Sequence, residues 1–178
     1  MATAKKRDKE KNIANYAVVG ELVLMSTTLD WLLNRVLIAV LHLGSSVLLE
    51  PVVATMDTAR KLEILKSRAK HIHKDDWKKG ILKFCDQVDS VFKQRNIACH
   101  TPATSKDGGL IFKPIAAAKL LKKLDIKTQG LPSTHLDDFK SAIKTGEAAL
   151  GAGLDLIENF DRVNAEIERR AALKLKIS

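Results

Sequence analysis

Residues 75–100 read DDWKKGILKFCDQVDSVFKQRNIACH, and Thr101-Pro102 follows at once. Trp77, Ile81, Phe84/Cys85, Val88, Val91/Phe92 and Arg95 recur at steps of three and four, the period that places side chains on one face of an α-helix. Asp75 is positioned to cap this helix, and Asp76 adds favourable charge to its first turn. Pro102 disfavours helical geometry at Thr101, so the helix should stop at about His100.

The flanking segments read the same way. A first helix is expected from about Lys9 to Leu43, after flexible residues 1–8. It carries one stripe of Ile13, Tyr16, Val19/Gly20, Val23, Thr27, Asp30/Trp31 and Asn34, while Leu22, Leu29, Leu33, Val36, Leu37 and Val40 spread over much of the rest. A helix apolar nearly all round is central, or packs on a second subunit as well as on its own chain. Gly44-Ser45-Ser46 ends it. Thr55 or Asp57 can cap a second helix through about Ile72, with Leu62, Leu65 and Ala69 inward and a basic outer face. Ser133 or Thr134 opens a long last helix. Its positions 136, 139, 143, 146, 150, 153, 157, 160, 164, 167 and 171 resemble a coiled-coil seam. Gly146, Gly151 and Gly153 weaken that helix intrinsically, and close approach of a neighbour is the expected compensation.

Between the third and last long helices lies the least helical part, 103–130. Ser105 to Gly109 reads as a turn, Leu110-Ile111-Phe112 as a short strand, and Ala116 to Leu124 has helical composition. The expected fold is all-α: one domain over 1–178, a bundle of about four long helices with a short irregular or β-like insertion. Composition agrees, being 46% hydrophobic but only 4% aromatic, rich in the Leu, Ala and Lys that lose least on entering helices.

The net charge of +9 has an uneven source. Arg60 to Lys83 holds nine Lys and Arg against three acids, whereas Ser133 to Ser178 holds seven against eight. A concentrated basic region suits a polyanionic partner through attraction and counterion release, and equally suits a solvated face that only maintains solubility. Cys85 and Cys99 fall on one helix about 21 Å apart, too far to bridge. Two unpaired thiols suggest a reducing, cytoplasmic setting. No signal-type apolar stretch directly follows the Lys-rich start. Leu22 to Leu43 is apolar, but Asp30, Asn34 and Arg35 interrupt it at a depth where lipid penalises them, so no membrane is expected.

Arg95, Asn96 and His100 are the one place where groups able to bind a phosphate and move a proton converge. Asn96 and His100, four apart, share a helix face, and the long Arg95 side chain can reach toward a fraying end. Arginine gives bidentate contact to phosphate, and imidazole is a natural acid or base near neutral pH. The plain alternative is a C-capping histidine, a salt-bridged arginine and a locally bonded asparagine. Other constellations are weaker. His71 and His73 diverge on a helix, and no Cys or carboxylate set completes a metal site. His42 and His135 stand alone. Gly108-Gly109 lacks the context of a phosphate loop. Cys99 reads as a buried small hydrophobe, and Trp31 and Trp77 as core.

Arg95-Asn96 followed by His100 resembles the R-x4–6-H motif of HEPN domains, in the version where a polar residue follows the arginine. The placement, late in a helix of an all-α bundle that begins with a long apolar helix, is similar too. The resemblance covers about residues 15–102, with the last helix as bundle partner. Several such proteins carry an acidic residue in the first helix and a basic one at the start of the next; Leu29-Asp30 and Arg60-Lys61-Leu62 look like these elements. What the resemblance implies is metal-independent RNA cleavage, without cofactor, at a site formed where two motifs meet across a homodimer. His100 would be acid and base, Arg95 would hold the scissile phosphate, and Asn96 would orient His100 or the substrate. Asp30 would fix Arg95, and Lys61 would contact RNA. Toxins with a cognate antitoxin and phage-defence ribonucleases are the settings implied. Many HEPN-like domains instead bind nucleic acid or nucleotides without turnover, and a helical scaffold that binds another protein through the last helix is the third reading.

Overall fold

The computed structural model describes residues 2–44, 49–106, 109–112 and 133–175. Its elements are α1 (Ala2–Leu41), α2 (Leu49–Thr55), α3 (Thr58–Ala69), α4 (Asp75–His100), β1 (Ala103–Lys106), β2 (Gly109–Phe112), β3 (Thr134–His135) and α5 (Leu136–Leu175). The fold is all-α: helix takes 85% of the described residues, and among them one small antiparallel sheet separates α4 from α5. α1 stops at Leu41, ahead of the expected Gly44-Ser45-Ser46. The turn between β1 and β2 and the helical reading of 116–124 fall wholly or partly outside the described residues.

Element ends follow local chemistry, with three adjustments to the expected ones. α1 begins at Ala2, because the Ala-, Lys- and Arg-rich start is itself a strong helix former. α4 ends at His100, with one further bond from Thr101 N to Ile97 O at 3.0 Å. At its start, however, Asp75 is already helical, and the carbonyl of Lys74 accepts from Trp77 and Lys78 at 3.1 Å. Lys74 therefore holds the cap position, while Asp75 and Asp76 supply first-turn charge. α5 starts after His135 rather than at Ser133 or Thr134. The backbone N–H of His135 donates to Asp138 Oδ2 at 2.8 Å, the returning half of a capping box. Asp57 does cap α3, its carboxylate accepting from Arg60 N at 2.7 Å. The short α2 was not foreseen; its Pro51 lies in the first turn, where a missing N–H does no harm.

The chain divides into two compact units. The first comprises Met1–Ser26 and Ser90–Thr145. β1 pairs with β2 (Ala103 opposite Phe112) and β2 with β3 (Ile111 opposite His135). The sheet buries Leu110 and Phe112, and Phe112 meets Phe139 of α5 edge-on at 4.8 Å between ring centres. Leu22, Val91, Phe92, Ala142 and Ile143 complete this core, while Ile13, Tyr16 and Leu24 are exposed on one side of α1.

The second unit comprises Thr27–Asp89 and Gly146–Ser178. Leu29, Leu33, Val36, Leu37 and Val40 of α1, Leu62 and Leu65 of α3, Ile81, Phe84 and Val88 of α4, and Leu156 and Phe160 of α5 are buried. Trp77 is half-buried and meets Phe160 in a tilted ring contact, 4.9 Å between centres. Trp31, expected in the core, is instead 57% exposed. It sits about 160° round the helix from Leu33, so only one of the two apolar sides of α1 is covered. The expected seam of α5 is buried at Gly146, Gly153 and Phe160 and needs correction beyond them. Ala149, Gly153, Leu156 and Phe160 are buried, whereas Ile167 and Ala171 are exposed. Gly153 explains the register. A β-carbon there would stand 2.5 Å from Leu32 Cδ2 and 2.8 Å from Phe84 Cε2, so the helix approaches its neighbours through that glycine. At Gly151 a β-carbon meets nothing within 4 Å.

The end of α1 is closed by its own backbone. His42 adopts φ 51°, Leu43 N donates to Ile38 O at 3.1 Å and His42 N to Ala39 O at 3.2 Å, a Schellman motif with histidine in the usual glycine place. Asn164 Nδ2 of α5 donates to the same Ala39 carbonyl at 2.9 Å. The stretch Asn12–Leu41 is long and apolar enough to cross a membrane by length and composition, and half of its most apolar part is buried within the protein.

Candidate functional site

The apolar face of α4 runs through Phe84, Val88 and Phe92, all buried. Continued at helical spacing, the same face meets Arg95, Asn96 and Cys99. Cover ends there: Arg95 is half-buried, while Asn96, Cys99 and His100 are exposed. Cys99 is therefore not the buried hydrophobe expected from its neighbours, because periodicity fixes a face and not how far the packing partner reaches. The candidate residues occupy the part of a core face that the described residues leave open.

Within this last turn and a half the contacts are local. Arg95 Nη1 donates to Asn96 Oδ1 at 3.1 Å, and the guanidinium carbon lies 5.3 Å from the centre of the Phe92 ring. Those two contacts hold the arginine without neutralising it. Among the described residues no carboxylate pairs with Arg95, and His100 makes no side-chain hydrogen bond or ion pair. The structure thus joins Arg95 to Asn96, not to His100, and Asn96 positions the arginine rather than the imidazole. The last carbonyls of α4 lie beside His100 at the negative end of the helix dipole.

Asp30 and Lys61 are brought together elsewhere, in the second unit. Lys61 Nζ donates to Asp30 Oδ1 at 3.0 Å, with the lysine side chain 1% exposed and the aspartate 40%. The carboxylate expected to fix Arg95 is engaged by Lys61. The lysine expected either to meet RNA or to be solvated is buried among the core residues of α3. What these two residues do in the described chain is hold α3 to α1. No local signal marks such a lysine: its partner is 31 positions away.

Cys85 is buried, and burial pushes its thiol up to about 12, so it is an inert core group. Lys66 donates to Asp86 Oδ1 at 2.7 Å, and that hydrogen bond raises the lysine above its ordinary value. A cavity of about 330 Å³ at the end of α1 is bordered by Arg35, His42, Asp161, Asn164 and Glu168, with His42 Nε2 3.3 Å from Glu168 Oε1. Among the described residues no group of three His, Cys, Asp or Glu side chains is arranged to hold a metal ion. Comparison with protein-family models, curated proteins and solved structures finds no match for this chain.

Proposed function

We propose that the protein is a cytoplasmic, metal-independent endoribonuclease of HEPN type that works as a homodimer. The observation that carries this reading is the open end of the α4 face, where an arginine with no acidic partner among the described residues and an exposed histidine replace the apolar groups of the preceding turns. Their chemistry suits phosphodiester cleavage by the neighbouring ribose 2′-OH. One imidazole takes the 2′-OH proton as that oxygen attacks phosphorus. A second imidazole gives a proton to the departing 5′-oxygen. The products are a 2′,3′-cyclic phosphate and a free 5′-OH, with no external reagent consumed.

One chain supplies one His100, and a two-fold axis supplies the other. Arg95, braced by Asn96 and Phe92, balances the charge that builds on the phosphate oxygens. The exposed Ile13, Tyr16 and Leu24 on α1, in the same unit as the motif, offer apolar surface to a second copy. A toxin with a cognate antitoxin, or a phage-defence component, is the setting that the family resemblance carries.

The test is cleavage of RNA in EDTA by the wild-type protein and by the Arg95→Ala and His100→Ala variants, together with light scattering. Cleavage by a dimeric wild type that both variants lack is the expected result. Equal cleavage by all three, or a strictly monomeric active protein, would sink the composite site. Binding without cleavage by every version would replace it with the non-catalytic module.

A further inference from the structure

The basic segment from Arg60 to Lys83 is not one solvated face. On α3 its charges part in three directions. Lys61 points inward to Asp30, and Lys66 reaches Asp86 on α4. Arg60, Ile64, Ser67, Arg68 and, just past the helix end, His71 follow one another on a third side. Together with Leu41 from the end of α1 they border a groove of about 350 Å³. That volume lies at the lower end of the range for small-ligand sites, about 300–1,000 Å³.

The charge balance in this groove is one-sided. Among the described residues that line it the only acid, Glu63, is taken by Arg60 Nη1 at 2.7 Å. Among the described residues Arg68 and His71 make no side-chain hydrogen bond or ion pair, and neither does the Ser67 hydroxyl. A cation in the last turn of a helix also complements the helix dipole, and Lys66 and Arg68 both do so. The dipole, however, does not account for a hydroxyl, an imidazole and a guanidinium bordering one concavity together with two aliphatic side chains.

We propose that this groove binds the phosphate of a nucleotide unit. Arg68 supplies the planar fork that matches two phosphate oxygens, Ser67 donates its O–H to one of them, and a ring N–H of His71 donates to another. Ile64 and Leu41 lie against the sugar or base. The choice of an RNA strand as the source of that phosphate rests on the ribonuclease reading; the phosphate chemistry does not. A free mononucleotide presents the same group.

The experiment measures fluorescence anisotropy of a labelled single-stranded 2′-O-methyl RNA, which has no free 2′-OH and is not cleaved by the proposed route, with the full-length protein at several salt concentrations. Arg68→Gln should raise Kd about tenfold or more, as for a lost hydrogen bond to a charged group. It should also lower the salt-dependence slope by about 0.7, one phosphate contact on a single strand. Lys83→Gln removes the same charge from exposed α4 and should change Kd by less than about twofold. Adenosine monophosphate as competitor separates the sources: displacement of the strand at micromolar concentrations assigns the groove to free nucleotides, and failure to displace it assigns the groove to the strand. Equal weakening by Arg68→Gln and Lys83→Gln would overturn the groove in favour of diffuse attraction. So would the absence of both RNA and mononucleotide binding. Because the strand is uncleavable and Arg95 and His100 are untouched, failure here is distinct from failure of the ribonuclease reading, which the cleavage assay alone decides.

Discussion

Lys61 and Arg95, two cations of one chain, stand in opposite circumstances. Lys61 is buried, with its charge answered by Asp30; Arg95 is partly open to solvent, braced by an amide and a ring, and among the described residues no carboxylate answers its charge. Removing a charge from water is tolerable only when a partner is fixed in place, so a buried paired lysine belongs to the architecture. A charge held in position without a partner keeps its capacity to meet an external anion. The contrast separates residues that hold this protein together from residues free to act.

The largest expected effect lies on the exposed side of that contrast. His100→Ala should lower RNA cleavage by about 10²–10⁴-fold while leaving the urea midpoint within error, since the side chain supports no packing. A parallel fall in stability would erase the distinction. Next comes Lys61→Ala, which leaves Asp30 without its partner and opens a hole in the core. It should destabilise by about 3 kcal/mol in urea unfolding, an amount reduced from the fully buried case because Asp30 reaches solvent. Asp30→Asn in the same chain should recover part of that loss, and strict additivity of the two would show that the pair is not coupled.

Smaller changes test the packing that holds the paired side in place. Gly153→Ala should cost about 1–3 kcal/mol, because the new methyl meets Leu32 and Phe84. Gly151→Ala, two residues away and open, should stabilise by about 0.5–1 kcal/mol through helix propensity. The same sign for both in thermal melts would contradict the close approach at Gly153. The least effect is expected from surface pairing. Hydrogen bonds from Arg169 and Arg170 hold the Glu166 carboxyl at about 2, below its ordinary 4.5. A depressed carboxylate contributes above its unfolded value and loses that contribution as pH falls through the folded one. The last turns of α5 should therefore lose helicity between about pH 4.5 and 2, and a carbon-13 titration of the Glu166 carboxyl with a midpoint near 4.5 would contradict this.

Much of the fold was legible because it rests on short-range rules. The 75–100 helix declared its face by periodicity and its end by Pro102, and Leu110 to Phe112 was identifiable as a strand between turn residues. What stayed hidden depends on distant partners. A lysine in a charged run reads as solvated until an aspartate 31 positions away is seen to meet it. Seam positions in α5 could be assigned by spacing, but not that cover ends after Phe160, nor that Gly153 draws the register toward Ala149 and Leu156. At the start of α5, serine and threonine attracted the cap assignment because they are common there. The stabilising bond instead runs backward from Asp138. The candidate site was found through residue types alone. Its openness, the property that makes those types useful, required knowing where the neighbours stop.

The two thiols have a practical consequence. Cys85 is shut in the core and Cys99 lies open one position before His100, so reagents that modify free thiols should address a single place in each chain. A spin label attached at Cys99 would sit beside the motif without mutation of the protein. In a dimer, the separation of the two labels would then read how closely one His100 approaches its copy.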